Sequence, residues 1–299
     1  MEIVGAFACS HAGLMITRKA EAPARQRERV YDAFRQMGQA IKRMEPDAII
    51  MLATDHGRIH KLDAVPQFMI GVSDVAEGFG DVGLPRRDYP INQPVARALL
   101  AGLMEAGIDL AYSEAMTIDH SFVSPLILAF GDEAPTLVPI MQNCNLPPTP
   151  SPARGLQVGR ALRQAVDTAG PGRAVILATG GLSHWVGSDA YRHFIYGAPG
   201  NRLKDPHRPA LDLPDRGPVA EDFDAEFLSH VCEGRVREFV AAWKPAEILR
   251  RAGNGAEEIR NWIVACAAVG HAKAKVLAYE PIQEWLTGTA IVQFEIPRR

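Results

Sequence analysis

The feature that most constrains the fold of this chain is an alternation of short apolar runs with longer segments of helical spacing. The run Ala48–Ala53 is apolar throughout, and the segment 25–44 before it carries apolar side chains at helical intervals, such as Val30, Phe34 and Met37. Apolar runs of this length are typical of strands buried on both faces, as in parallel sheets. The alternation predicts an α/β fold, a sandwich with a largely parallel or mixed central sheet flanked by helices.

The same patterns predict the remaining elements. We expect further strands at 2–8, 68–72, 137–141 and 173–178, and helices at 94–106, 153–169 and along 222–269. The tail 279–294 either returns as a strand or lies over the core. The Pro- and Gly-rich stretch 196–218 is interpreted as a long loop rather than a linker, so residues 1–299 are predicted to form a single domain.

Charge and composition exclude several classes of protein. With a formal net charge of -3, the chain lacks the basic field that holds a nucleic-acid backbone. Its apolar runs are far shorter than the roughly 20 residues of a membrane helix, and its first residues do not resemble a secretory signal. The four cysteines are widely scattered, which disfavours disulfides and cysteine-bound zinc. Reduced thiols in the cytoplasm are therefore expected.

Four histidines follow apolar runs within a few residues. These are His11, His56, His120 and His184, and small or turn-forming residues stand beside them. Ligands of open α/β sheets bind beyond the carboxyl ends of the strands, where the loops converge. A single histidine in such a place is more often a surface or core residue, but four at matching positions together predict a functional site.

A carboxylate near the end of the chain could complete a metal site. An iron that must bind both an organic substrate and O2 needs open coordination positions, which two histidines and one carboxylate leave. Glu257 and Glu258 follow a Gly-rich turn and precede an apolar helical segment. Acidic residues are also favoured in a first helical turn by the helix dipole, so this pattern does not separate a ligand from a capping residue, or Glu257 from Glu258.

Five segments carry a specific resemblance to a known family. In chain order they are Cys9–His11, Ala53–His56, Ile118–Phe122, Thr179–His184 and Glu258–Trp262. In their residues, order and spacing they resemble the class III extradiol ring-cleavage dioxygenases, the superfamily of the protocatechuate 4,5-dioxygenase catalytic subunit and 2,3-dihydroxyphenylpropionate 1,2-dioxygenase. The resemblance covers nearly the whole chain, and 107–111 and 279–285 look more like the phenylpropionate type.

The resemblance implies an Fe(II) cofactor and the residues that hold it. The family's two histidine ligands fall on His11 and His56. Its carboxylate ligand falls on Glu258, from the spacing to Trp262, with Glu257 as the second candidate.

The resemblance also implies two acid/base histidines. The histidine of the Gly-Gly-x-Ser-His motif is His184, which we predict to take a proton from the substrate, and the Asp-His motif gives His120 as the acid. Asp55 and Asp119 either orient a histidine or cap a turn.

The implied function is extradiol (meta) cleavage of a catechol-type ring by O2, in a cytoplasmic pathway of aromatic compound degradation. An aminophenol-cleaving dioxygenase and a non-dioxygenase metal-binding paralogue of the same fold are the alternatives. The expected partners are a catecholic small molecule and O2, with no nucleic acid and no membrane. A homo-oligomer is expected, and a small second subunit, as in the protocatechuate-type enzymes, is left open.

No pattern in the sequence singles out residues that would bind the rest of the substrate. A substrate carboxylate could meet one of four arginines, which could equally be solvated: Arg58, Arg86, Arg87 and Arg192. Trp185 could pack on an aromatic substrate or belong to the core. The stretch 196–218 could be a lid or a simple insertion.

Overall fold

The computed structural model describes residues 1–60, 64–186 and 217–296. Its strands are β1 (Glu2–Cys9), β2 (Ala48–Ala53), β3 (Phe68–Gly71), β4 (Val75–Gly78), β5 (Asp88–Pro90), β6 (Ala111–Ser113), β7 (Thr117–Ile118), β8 (Leu137–Gln142), β9 (Arg173–Thr179), β10 (Ala274–Ile282) and β11 (Thr287–Phe294). Its helices are α1 (Leu14–Thr17), α2 (Ala24–Arg43), α3 (Gln93–Glu105), α4 (His120–Phe130), α5 (Pro152–Thr168), α6 (Glu221–Cys232), α7 (Val236–Ala242), α8 (Pro245–Ala252) and α9 (Ile259–Ala268). Two 3-10 turns span Asn254–Glu258 and Gln283–Trp285.

Eight of the described strands form one mixed sheet. Its order is β10-β11-β1-β9-β2-β8-β3-β6, while β5, β4 and β7 form a separate small sheet. The four central strands, β1, β9, β2 and β8, run parallel, and β11 and β3 are antiparallel to their central neighbours. Strand β2 is buried along its whole length, as expected for a strand covered on both faces. The predicted α/β fold with a parallel or mixed sheet is confirmed.

Helices cover both faces of the sheet because the chain crosses it in both directions. The connection from β1 through α2 to β2 moves one way along the sheet, and that from β8 through α5 to β9 moves the other way. Right-handed crossovers of opposite direction place their helices on opposite faces. Accordingly, α2 packs with α4, whereas α5 packs with α9. The carboxyl ends of β1, β9 and β2 therefore meet at one edge, between two helical layers.

The structure gives the boundaries of the helices predicted along 222–269 and corrects the expected position of His120. The segment 222–269 holds four helices, because the chain breaks at Gly234 and Gly253, which have positive φ, and before Pro245. His120 does not follow a main-sheet strand but opens α4, directly after the short strand β7 of the small sheet. The tail returns as the antiparallel pair β10 and β11.

Two further expectations concern membrane-spanning helices and the stretch 196–218. None of the helices within residues 1–60, 64–186 and 217–296 is both long and apolar enough to cross a membrane. The stretch 196–218, interpreted as a lid or an insertion, lies outside the described residues except for its last two positions.

Candidate metal centre and active site

Three of the four predicted histidines follow adjacent parallel strands. His11 follows β1, His56 follows β2, and His184 stands on the loop after β9, the strand between the other two. Cys9 at the end of β1 is in register with Thr179 at the end of β9. The strand ends therefore bring the three side chains to one place, as the sequence predicted.

His120 reaches the same place from a different element. Its ring centroid lies 4.2 Å from that of His56 and 6.0 Å from that of His11. The sequence predicted its presence at the site but not its position at the start of a helix. Asp119 caps this helix by accepting a hydrogen bond from the backbone N–H of Ser121.

Glu258 approaches the histidines from the start of α9. Its carboxylate oxygens lie 3.1 Å from His11 Nε2 and 3.1 Å from His56 Nε2. The backbone N–H of Gly181 donates to Oε2 at 2.9 Å, which orients the carboxylate. These three side chains, His11, His56 and Glu258, have potential ligand atoms within 4.8 Å of one another.

The segment after Glu258 fastens α9 to the end of β9. Asn261 Nδ2 donates to the carbonyl of Thr179 at 2.8 Å, and Trp262 Nε1 donates to the carbonyl of Gly180 at 3.1 Å. The contact is so close that a Cβ on Gly180 would lie 2.6 Å from the carbonyl oxygen of Glu258. The hydrogen bonds of the Glu258–Trp262 segment thus fix the position of the Glu258 carboxylate relative to β9.

Glu257 points elsewhere, although it was the second candidate for the ligand. Its carboxylate pairs with the guanidinium of Arg260, which is buried. Burial raises the pKa of Glu257, and Arg260 opposes this effect. The structure therefore separates two neighbours that the sequence pattern could not, because a 3-10 turn directs consecutive side chains to different sides.

The protonation of His11 follows from its neighbours. Its Nδ1 lies 3.0 Å from the hydroxyl of Thr179, and that hydroxyl donates its only proton to the carbonyl of Ser121 at 2.9 Å. Thr179 can then only accept from His11, so the proton of His11 is on Nδ1 and a lone pair is on Nε2. Burial also lowers the pKa of His11, which favours the neutral ring.

This lone pair faces a carboxylate oxygen, which is unfavourable unless a cation lies near both. His11 Nε2 is buried and makes no hydrogen bond within the described part of the chain. Glu258 accepts a hydrogen bond from the backbone N–H of Gly181, which favours its ionised form. A neutral imidazole and an ionised carboxylate are the forms in which these groups bind a metal. The donor set therefore fits a divalent metal ion.

His56 is oriented by a carboxylate, but not by the one that precedes it. Asp119 Oδ2 accepts from the backbone N–H of His56 at 2.9 Å and lies 3.2 Å from its Nδ1, which directs Nε2 to Glu258. Asp55 instead caps a turn by accepting from the backbone N–H groups of residues 58, 59 and 60. Asp119 therefore has both of the roles left open for these aspartates, orienting His56 and capping α4, whereas Asp55 has the capping role.

His184 is held by the backbone on both sides of its ring. Its Nδ1 lies 3.1 Å from the carbonyl of Leu182, which can only accept, so the proton is on Nδ1 and Nε2 has a lone pair. Nε2 lies 3.7 Å from Glu258 Oε2. A Cβ on Gly181 or Gly255 would lie 2.5 Å or less from a ring nitrogen, so only glycine fits on either side.

Two groups of the site were missed from the sequence. Thr179 fixes the tautomer of His11, and Asp81 contacts both the backbone and the ring of His120. Thr179 is the first residue of the Thr179–His184 segment that carries the resemblance, so the sequence indicated its presence at the site but not its role. Asp81 lies 39 residues from His120 in an irregular loop, and no local pattern marks it.

The arginines and the tryptophan considered for substrate contacts differ in their surroundings. Arg87 stacks on Tyr89 with its guanidinium carbon 4.8 Å from the ring centroid, a structural contact. Arg58 and Arg86 flank the ring of Phe79 at 5.9 and 5.8 Å. Trp185 is buried and donates to the carbonyl of Pro218, which favours a core role, and Arg192 lies outside the described residues.

A mixed α/β sheet whose strand ends gather two histidines and a carboxylate defines a metal-binding protein of the kind that can leave coordination positions open. The family is then given by comparison with known sequences. The chain belongs to the family described as the catalytic LigB subunit of aromatic ring-opening dioxygenase, whose model matches residues 5–290. Its activity class is accordingly that of a ring-cleaving dioxygenase.

Individual relatives agree with this assignment. A 2,3-dihydroxyphenylpropionate/2,3-dihydroxicinnamic acid 1,2-dioxygenase of Photorhabdus laumondii is 32% identical over 295 residues, covering 90% of this chain and 91% of that protein. A protein of the same name from Escherichia coli is 28% identical over 274 residues, covering 84% and 86%. The chain thus spans nearly the full length of both relatives.

A solved structure supports the fold. The crystal structure of an uncharacterized protein from Escherichia coli K12 superposes with a TM-score of 0.57 and covers 97% of this chain and 99% of that one. The sequence identity is 16%, so this likeness concerns the fold alone.

Proposed function

We propose that the protein opens a catechol-type ring by extradiol cleavage with O2, using Fe(II) held by His11, His56 and Glu258. The observation that carries the proposal is the lone pair of His11 Nε2, buried and 3.1 Å from an ionised carboxylate oxygen. Two imidazoles and one carboxylate are typical of non-haem Fe(II) oxygenases. Bound there, Fe(II) supplies open coordination positions and one-electron chemistry with O2.

His184 acts as the base that takes a proton from a catechol hydroxyl. Its Nδ1 proton is directed at the carbonyl of Leu182, so Nε2 is the nitrogen with a free lone pair. That nitrogen lies beside Glu258, and so a hydroxyl close to the metal ligands is within its reach. The catechol then enters the reaction as its anion.

His120 acts as the acid. Its ring lies beside that of His56, and Asp81 binds its Nδ1–H, so the protonated imidazolium ring has its Nε2–H as the proton that it can deliver to the substrate. The carbon–carbon bond next to the diol breaks, and both atoms of O2 enter the product. The proton from His120 neutralises negative charge on oxygen as the ring opens.

The likeness to the two phenylpropionate-type relatives makes a 2,3-dihydroxyphenyl compound with a carboxylate side chain the first substrate to try. The proposed setting is the cytoplasm, in the degradation of aromatic compounds. The unpaired state of Cys9, Cys144, Cys232 and Cys266 supports a reducing compartment. We also propose a homo-oligomer, with a small second subunit as the alternative.

The test is anaerobic loading with Fe(II), followed by O2 uptake and absorbance with a panel of catechols. The panel contains 2,3-dihydroxyphenylpropionate, protocatechuate, catechol, a gallate and 2-aminophenol. We expect one O2 consumed per ring-opened product, and both atoms of labelled O2 in that product. His184→Ala and His120→Ala should each lose activity while retaining iron.

The outcomes separate the alternatives. Turnover of 2-aminophenol in preference to every catechol would support the aminophenol-cleaving alternative instead. Stoichiometric iron with no O2 uptake for any compound would contradict the proposal and favour a metal-binding paralogue.

A further inference from the structure

His120 has a carboxylate partner of its own. Asp81 Oδ1 accepts from the backbone N–H of His120 at 3.0 Å, and Oδ2 lies 2.5 Å from its Nδ1. The side chain of Asp81 is 9% exposed, so little water competes for these bonds. Both oxygens are thus committed to one residue, which fixes the carboxylate relative to the ring.

The loop that carries Asp81 is tightly built. Three of its residues, Gly80, Val82 and Gly83, have positive φ angles of 79°, 46° and 74°. This conformation is unusual for a β-branched residue such as Val82, and such strain persists where the surroundings hold it and clusters at functional sites. The backbone N–H of Leu84 closes the loop on the carbonyl of Asp81 at 2.9 Å.

The same loop contacts the segment that follows His11. A Cβ on Gly13 would lie 2.9 Å from Val82 Cγ1 and 3.5 Å from His120 Cδ2. Val82 and the ring of His120 therefore line the same small space beside the loop after β1. The position of Asp81 is fixed from two directions, by its own turn and by this contact.

We propose that Asp81 is a positioning residue that binds the Nδ1–H of His120, so that Nε2 is turned to the substrate and carries the second proton when the charged ring acts as the acid. The importance of this for turnover rests on the proposed function, in which His120 is the acid. His56 has a separate carboxylate in Asp119, so two adjacent histidines are oriented independently. This arrangement prevents one carboxylate from being shared between rings whose centroids are 4.2 Å apart.

An amide in place of this carboxylate should reverse the tautomer of the neutral ring and remove the negative charge that favours the imidazolium form, which is the form that acts as the acid. The backbone N–H of His120 can only donate, so in Asp81→Asn the amide oxygen stays with it. The amide NH2 then faces Nδ1, which must become the acceptor and move its proton to Nε2. Shape and size are nearly unchanged, so the effect is one of hydrogen-bond direction and charge.

The first measurement is the tautomer of His120 by 15N NMR of metal-free protein labelled at histidine. The His120 signals are assigned by their loss in His120→Gln. At a pH at which the ring is neutral, we expect the Nδ1–H form in the wild type and the Nε2–H form in Asp81→Asn. Asp88→Asn, which removes an exposed carboxylate from β5, is the matched control and should resemble the wild type.

The second measurement is steady-state kinetics of the iron-loaded enzymes. Asp81→Asn should lower kcat by about 100-fold or more, the usual contribution of a general acid, with little change in KM. Its iron content should equal that of the wild type, because Asp81 contacts none of the proposed ligands. A loss caused by general disruption would lower iron binding as well.

Support requires both the reversed tautomer and the loss of kcat. An unchanged tautomer in Asp81→Asn, or a reversed tautomer with kcat within twofold of the wild type, would overturn the proposal. If the wild type itself cleaves no ring, the proposed function fails, and the NMR comparison alone decides whether Asp81 sets the tautomer of His120.

Discussion

The neighbouring residues Glu257 and Glu258 have opposite surroundings. Glu258 faces two imidazole nitrogens, whereas Glu257 faces the guanidinium of Arg260. We therefore expect Glu258→Gln to weaken Fe(II) binding by at least about 100-fold, since even the loss of an outer partner of a metal ligand can cost that much. Titration of Fe(II) under anaerobic conditions measures the change.

The matched control is Glu257→Gln. It should lower stability, because a buried guanidinium loses its charged partner, but the folded protein should bind Fe(II) like the wild type. Equal loss of metal in the two variants would contradict the separate roles of these glutamates.

We expect Asp224 to make the stability of the protein depend on pH. Burial raises its pKa to about 6, although hydrogen bonds from the backbone and hydroxyl of Ser183 and from Tyr279 act in the opposite direction. A carboxyl whose pKa is raised by folding contributes stability that is complete below its unfolded pKa and is lost as the pH rises through about 6.

The wild type should thus gain about 1 kcal/mol relative to Asp224→Asn when the pH falls from 7 to 5, from the change in pKa on folding. Urea unfolding of both proteins at the two pH values measures this difference. Asp222→Asn, on the same helix, is the control, because Asp222 is exposed and its pKa is lowered. Parallel pH dependence of the wild type and Asp224→Asn would contradict the prediction.

The sequence predicted the members of the candidate site better than their contacts. His11, His56, His184 and Glu258 come together as expected from the strand ends and the resemblance. Their hydrogen-bond partners were not predictable, because Asp81 and Asp119 meet histidines 39 and 63 residues away through the packing of separate elements. Local patterns carry no information on such pairs.

At the scale of elements, the close packing of α5 on α9 depends on one glycine. A Cβ on Gly159 would lie 2.3 Å from the carbonyl oxygen of Val264 and 2.5 Å from Ala267 Cβ. Gly159→Ala should force the helices apart and lower the free energy of unfolding by about 1–3 kcal/mol or more, as other overpacked cores do. Urea or thermal unfolding measures the loss.

Gly155, one turn earlier in α5, provides the comparison. A Cβ there would come no closer than 3.4 Å to Ile263 Cγ2, so alanine has room and improves the helix propensity by about 1 kcal/mol. Gly155→Ala should be neutral or stabilising. Destabilisation of equal size in both variants would show that the helix contact does not distinguish these positions.

Apolar runs predicted the central strands of the main sheet closely, because strands that are buried on both faces are apolar throughout. Helical spacing likewise predicted the helices that pack on this sheet. The spacing along 222–269 predicted helices correctly, and the Gly-rich turn at Gly253 was noted, but the spacing did not mark the breaks at Gly234 and before Pro245. It also failed at β7 and α4, since a strand of two residues leaves no pattern to detect.

At the scale of the whole molecule, the two ends of the described chain are joined in one sheet. Strand β1 lies between β11 and β9, and Trp285 stacks on Tyr31 of α2 with ring centroids 6.2 Å apart. We propose that residues 1–299 form one catalytic domain, and we expect one cooperative unfolding transition. Urea curves from tryptophan fluorescence and far-ultraviolet circular dichroism should coincide, and two separate midpoints would contradict it.

The position of β1 between β9 and β11 also has a consequence for synthesis of the protein. A nascent chain presents His11 and His56 early, but Glu258 and the antiparallel neighbour of β1 leave the ribosome much later. The proposed ligands cannot be gathered while the ribosome is still making the middle of the chain. Binding of a metal ion by all three proposed ligands therefore becomes possible only near the end of translation, after Glu258 and α9 have been made.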